Sequence, residues 1–315
     1  MIERGAGGVD HAISAGEYEA RVASVGASLR SLRYRGRDLV APFPAGEMRP
    51  AMRGAVLAPW PNRLADGRYR FGGEEHQLPL SEPEFRNAAH GLVAWQDFEG
   101  TASVAERLVL TTHTVPQPGY PWRIRLDVEF TLSPEAGLRQ RIVATNESDA
   151  PAPVGLGAHP YLAAGPLEPS AVDGWTLQLP AAEVMLVSSD RLLPVGVEPV
   201  GTHEGGVLDF RSERRIGATE LNHAFTALER NGAGEVVVRL VDDDGSGSGV
   251  QLTTDAGTPW LQVYSADGLP PESRRHALAI EPMTCPPDAF NSGCDLRILV
   301  PGESTALEWS VKALD

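Results

Sequence analysis

Arg123–Leu132 reads RIRLDVEFTL, and its alternation decides the fold class. Ile124, Leu126, Val128, Phe130 and Leu132 are apolar, while Arg125, Asp127, Glu129 and Thr131 between them are polar. A period of two sends successive side chains to opposite faces, so one face meets a core and the other meets water. SPEAG supplies a turn, and Leu138 to Ala144 is expected to return as the partner strand. The same pattern recurs outward from this hairpin. EVVVRLV and VQLTTDA flank DDDGSGSG, read as a solvated hairpin tip because the spacing and closing Glu of a calcium loop are missing. Tyr69 and Phe71 run into Gly72-Gly73 and then EEHQLPL, and the C-terminal TALEWSVKAL alternates too.

Nowhere does a segment longer than about ten residues carry a helical stripe. The 33 glycines and 26 prolines are spread along the 315 residues, as turns between many short strands require. No linker or fixed-period repeat interrupts the chain. The expectation is an all-β protein, a large antiparallel β-sandwich in which residues 1–315 form one domain.

Acidic residues outnumber basic ones 42 to 27, a formal charge of −15 that repels nucleic-acid phosphates and anionic lipid. The first residues lack the apolar core of a signal peptide, and no run approaches the roughly 18 apolar residues of a membrane span. Two cysteines, Cys285 and Cys294, are too few for a disulfide scaffold, so a cytoplasmic, reduced protein is expected. Lys312 is the one lysine, poorly placed for Schiff-base or P-loop chemistry. No dinucleotide fingerprint, nucleophile elbow or zinc spacing is present. His, carboxylate and Arg remain to carry chemistry, with no cofactor and no metal.

Two titratable residues precede proline: His159 in GLGAHPYL and Glu281 in LAIEPMTCPPDAFNSG. A following proline drives a residue into extended backbone and removes a ladder donor, the look of a strand end opening into a cleft. Leu278 and Ile280 upstream suggest that Glu281 leaves a core partly desolvated, which raises a carboxyl toward a useful base. Arg63 follows a Pro-Asn turn, and His90 precedes Gly91, where the chain can turn sharply. Trp60, Trp95, Trp260 and Tyr264 are expected mostly in the core, with one or two free to form a platform for a sugar ring.

In order, PWPNRLADGRYRF, NAAHGL, GLGAHPYL, LNHAF and LAIEPMTCPPDAFNSG resemble the aldose 1-epimerase (galactose mutarotase) family, and DLRILVPGES fits its ending. The resemblance covers roughly Trp60 to Gly293. It implies a many-stranded β-sandwich, Glu281 as catalytic base, His159 as acid, and His90 and Arg63 as substrate contacts. One position departs: Asn222 stands where the family usually has Asp, so a sugar contact there would carry no charge. The implied activity interconverts the α and β anomers of a free aldohexose such as galactose or glucose. The expected partner is a small monosaccharide, without nucleic acid or membrane, and the chain would be a monomer or weak homodimer. Two rivals share the fold: a hexose-6-phosphate 1-epimerase, which needs an arginine cluster with Arg86 as a candidate member, and a non-catalytic carbohydrate-binding protein.

Overall fold

The computed structural model describes residues 5–315, and two large antiparallel sheets dominate it. All of RIRLDVEFTL but its first residue lies in the strand Ile124–Ser133, whose burial alternates as its polarity does. It pairs with Arg107–His113 on one side and Gly137–Asn146 on the other. Ser304–Leu314, the C-terminal alternating segment, comes next, followed by the hairpin Gly249–Thr254 and Val236–Asp242. These belong to a nine-stranded sheet.

The eight-stranded sheet runs in the order Pro194–Pro199, Ala181–Val187, Asn222–Leu228, Trp260–Tyr264, Leu278–Met283, Gly157–Ala158 and Val56–Leu57, with Tyr161–Leu162 also pairing Leu278–Met283. Val128 and Ile142 of the first sheet and Val263 and Ile280 of the second belong to one buried apolar cluster, so the sheets face each other across a shared core. A four-stranded sheet formed by Asp10–Ala15, Tyr18–Ala23, Ser28–Tyr34 and Arg37–Asp38 adds Ile13, Val22 and Leu32 to that cluster. The α-helix among the described residues is a single turn, Ala289–Ser292. No helix there is long and apolar enough to cross a membrane.

Trp60 and Trp260 are buried, as expected. Trp95 is not a core residue. It is 53% exposed, and the Arg49 guanidinium lies 4.4 Å from its ring, a cation–π contact that occupies one face of the indole. Both cysteines are free.

Candidate active site

Antiparallel register builds the site. Gly157 lies opposite Met283 and Tyr161 opposite Ala279, so the same register carried between them sets His159 opposite Glu281. Ile280 and Thr284 donate their N–H groups toward this neighbouring segment, to Pro160 and Leu156. Pro282 sits between them and has no N–H to donate, and Pro160 has none to return. Two ladder bonds are thus missing, one on either side of the His159–Glu281 pair. The pair occupies the non-hydrogen-bonded kind of position, where facing side chains come closest. His159 Nε2 and Glu281 Oε1 are 3.3 Å apart.

This geometry corrects the expectation that Glu281 ends its strand. Pairing continues through Pro282, opposite Leu261, to Met283. The proline is tolerated because its ring nitrogen faces the segment that is interrupted at His159-Pro160, not the intact strand Trp260–Tyr264.

On the other side, Glu281 is opposite Gln262, and Asn222 is opposite Tyr264. Partners across a ladder share a face, and residues two apart along a strand share it too. Glu281, Gln262, Tyr264 and Asn222 therefore present one face of the sheet, while Ile280, Val263 and Leu261 enter the core from the other. Gln262 Nε2 donates to Asn222 Oδ1 at 2.9 Å. His223 follows in the strand and lines the same cleft, its Nδ1 accepting the Asn222 N–H.

A second wall comes from the segment around Arg63. Arg63 opens the short strand Arg63–Ala65, opposite Ala89, and the His90 N–H donates to Asn62 O. His90 is then followed by Gly91 at φ 74°, where an added Cβ would lie 2.0 Å from Ala58 O. Only glycine fits there, and it delivers His90 to the cleft. Arg63 is held from behind: its Nε and Nη2 donate to Glu82 Oε2 and Oε1 at 2.8 and 3.0 Å.

Arg63, His90, His159, Asn222 and Glu281 all line one cleft of about 760 Å³. Glu281 and His159 are only 2% and 5% exposed. The His159 ring stacks on Tyr161, nearly parallel at 5.1 Å, and His90 meets it edge-on at 5.4 Å. Three buried polar atoms converge here without a hydrogen-bond partner in the protein: Glu281 Oε2, His159 Nδ1 and His90 Nδ1. Unpaired buried groups are costly, and their gathering at one cleft points to a ligand that pairs them.

Burial also sets the protonation states. It pushes the Glu281 carboxyl up to about 8, with Arg63 pulling the other way. It pushes His159 down to about 3 and holds His90 well below the usual imidazole range, with His159 and Arg63 acting in the same direction on His90. At neutral pH the Glu281–His159 pair thus holds one titrating proton, on the carboxyl.

Several cleft residues escaped the sequence reading. Gln262 carried a signal, as a lone polar residue in the apolar strand WLQVY. Glu82 carried none, since nothing local marks it as the partner of Arg63. Arg86, considered as a phosphate ligand, is exposed and does not line the cleft.

An antiparallel β-sandwich with a carboxyl and an imidazole buried together in one cleft is the arrangement that the sequence resemblance implies. The comparisons make this specific. The family model described as aldose 1-epimerase matches residues 11–312. An uncharacterized Escherichia coli protein, YihR, is 36% identical over 95% of this chain and 91% of its own length. Mouse galactose mutarotase is 29% identical over 56% of this chain and 51% of its own. A Caenorhabditis elegans GalM/aldose epimerase homologue shares the fold at a TM-score of 0.81 and 19% identity, covering 97% of this chain and 99% of that one. The chain belongs to the aldose 1-epimerase family, isomerases that act on sugars.

Proposed function

We propose that the protein is a mutarotase, interconverting the α and β anomers of a free aldohexose such as galactose or glucose. The observation that carries this reading is the 3.3 Å approach of His159 Nε2 to Glu281 Oε1 in a buried cleft. Mutarotation removes the proton of the C1 hydroxyl and adds one to the ring oxygen, so that the C1–O5 bond opens to an aldehyde. Rotation about C1–C2 presents the other carbonyl face, and the steps reverse. The two oxygens concerned share one carbon, so a base and an acid serving both must themselves be neighbours. A cross-strand pair supplies that spacing.

In this mechanism Glu281 accepts the C1 hydroxyl proton and His159 delivers one to the ring oxygen. The proton that burial keeps on the carboxyl crosses to the imidazole as the sugar binds, and the short contact gives it a path. On closure the two exchange roles. Groups acting in this way contribute typically about 10²–10⁴-fold each. Arg63, His90 and Asn222 hold ring hydroxyls; Arg63 and His90 also polarise charge developing on the oxygens. This chemistry calls for no cofactor. The reading also takes the chain as one domain acting in the cytoplasm, where free cysteines persist.

The phosphosugar rival finds less support in the cleft. Among the described residues Arg63 is the one arginine lining it, and its fork is already engaged by a carboxylate. Two nitrogens pledged to Glu82 leave little for a phosphate. Polarimetry of fresh α-galactose, α-glucose and glucose 6-phosphate tests the assignment. Acceleration of the free hexoses, with at least tenfold lower kcat/KM on the phosphate ester, is expected. Faster exchange of the phosphate ester would hand the function to the rival.

A further inference from the structure

Arg53 is a buried cation that does not line the cleft, and it is only 7% exposed. Its Nη1 donates to Pro42 O at 2.9 Å, and its Nη2 lies 3.1 Å from His276 Nε2. His276 Nδ1 meets Ser273 O, so that nitrogen carries the ring proton and Nε2 is free to accept from Arg53. Burial and the neighbouring guanidinium hold His276 below the usual imidazole range, which keeps it neutral and able to accept. Neither partner is a carboxylate, and Arg53 Nε has no partner. Burying a charge on such terms is costly, and an apolar side chain of similar length would fill the space at lower cost. The position calls for a reason other than stability.

What Arg53 touches supplies one. Its guanidinium lies 5.4 Å from the centre of the Tyr161 ring, and the same ring carries the His159 imidazole, 9° from parallel at 5.1 Å. The imidazole needs such support. An acid–base histidine is ordinarily aimed by a hydrogen bond to the ring nitrogen that the chemistry does not use. Here Nε2 faces Glu281, and Nδ1 has no partner. Packing sets the plane of the ring instead, with Tyr161 as the parallel surface against it. A stacked pair is weak alone, and a desolvated cation held on the phenol ring by its own hydrogen bonds fixes that ring more firmly.

The backbone reinforces the arrangement. Arg53 follows Ala51 and Met52, both in the left-handed region at φ 45° and 56°. Just after it, the Gly54 N–H donates to His159 O at 2.8 Å, and the His159 N–H donates to Ala55 O at 3.0 Å. One short segment thus holds His159 by its main chain and, through Arg53 and Tyr161, by its ring. Strain of this kind persists where the surroundings impose it, and active sites are among the places where it collects.

We infer that Arg53 is a positioning residue for His159: it holds the Tyr161 ring, and that ring holds the imidazole at the angle that aims Nε2 at the ring oxygen of the sugar. Because it touches no substrate, it acts on turnover and not on affinity. The inference rests on the mutarotase reading of the cleft.

Polarimetry on galactose at pH 7 tests it. Arg53→Met is expected to lower kcat by about tenfold or more, while KM changes by less than about threefold. In a Tyr161→Leu background the same substitution should lower kcat by less than about twofold further, since the ring through which it acts is gone. If Arg53→Met does not fold, Arg53→Gln, which can still donate to Pro42 O, takes its place. NMR of wild type and variant adds a readout independent of turnover: the His159 ring protons, shielded by the stacked phenol ring, should move downfield as the stack loosens. An unchanged kcat, equal factors on kcat and KM, or losses that multiply across the two sites overturn the positioning role. Wild-type protein inactive on hexoses overturns the mutarotase reading, and the ring-proton shift then decides whether Arg53 holds the imidazole. Unmoved resonances overturn that as well.

Discussion

Glu281 and His159 divide one proton between them, and their surroundings decide where it rests. Burial disfavours the charged form of each, so the carboxyl is raised to about 8 and the imidazole lowered to about 3. The proposed mechanism needs the pair singly protonated. The wild-type kcat/KM should therefore stay level across neutral pH and fall as pH rises through about 8, where the pair loses its proton. A profile still rising between pH 8 and 10 would contradict this. At Arg63 the residue-scale argument concerns orientation. Glu82→Ala frees the guanidinium to swing, so KM for galactose should rise by roughly tenfold, about 1.4 kcal/mol, with a smaller change in kcat. An unchanged KM would remove Glu82 from any positioning role.

At the scale of the element, the strands were legible and their meeting was not. RIRLDVEFTL announced its strand because a half-buried antiparallel strand must alternate. The hairpin around DDDGSGSG was equally plain, since its turn residues lie between two alternating runs. GLGAHPYL and LAIEPMTCPP were visible as candidate catalytic segments, but not as partners. Their pairing depends on contacts more than a hundred residues apart, and no local propensity reports register. The proline after Glu281 read as a strand end because a missing donor usually ends pairing, and here it is absorbed by a gap in the neighbour. Glycines were legible as turns, without showing which of them were irreplaceable. Gly91 is one. Gly91→Ala combines a positive φ with a contact of 2.0 Å to Ala58 O, so it should destabilise the protein by about 1–3 kcal/mol and raise KM by displacing His90. Normal stability to denaturant together with normal KM would refute that account.

For the whole molecule, the two sheets enclose one apolar cluster running from Ile13 to Val311, and the site lies on the outward face of one of them. The arrangement isolates a titratable pair within well-packed surroundings, and stability must register the cost. A carboxyl whose folded pKa is raised stabilises fully below its unfolded value, near 4.5, and that contribution is lost as pH rises through about 8. Glu281→Gln cannot ionise. Wild-type protein should lose stability relative to this variant between pH 5 and 9, on the order of a few kcal/mol. Parallel Tm curves for the two proteins would show that the carboxyl is not held protonated by the fold. The opposite slope, with the wild type gaining on the variant, would mean that an ion pair outweighs burial.

Every level of the account meets at the Glu281 carboxyl, which packing desolvates, register aims and the proposed reaction uses. The most direct test is the mutarotation rate of Glu281→Gln on saturating galactose at pH 7, beside its affinity for the same sugar. Loss of about 10²–10⁴-fold in kcat, with Kd changed by less than a few fold, is the predicted result. A variant that turns over within a few fold of the wild type would contradict it, because a glutamine amide cannot take up the hydroxyl proton.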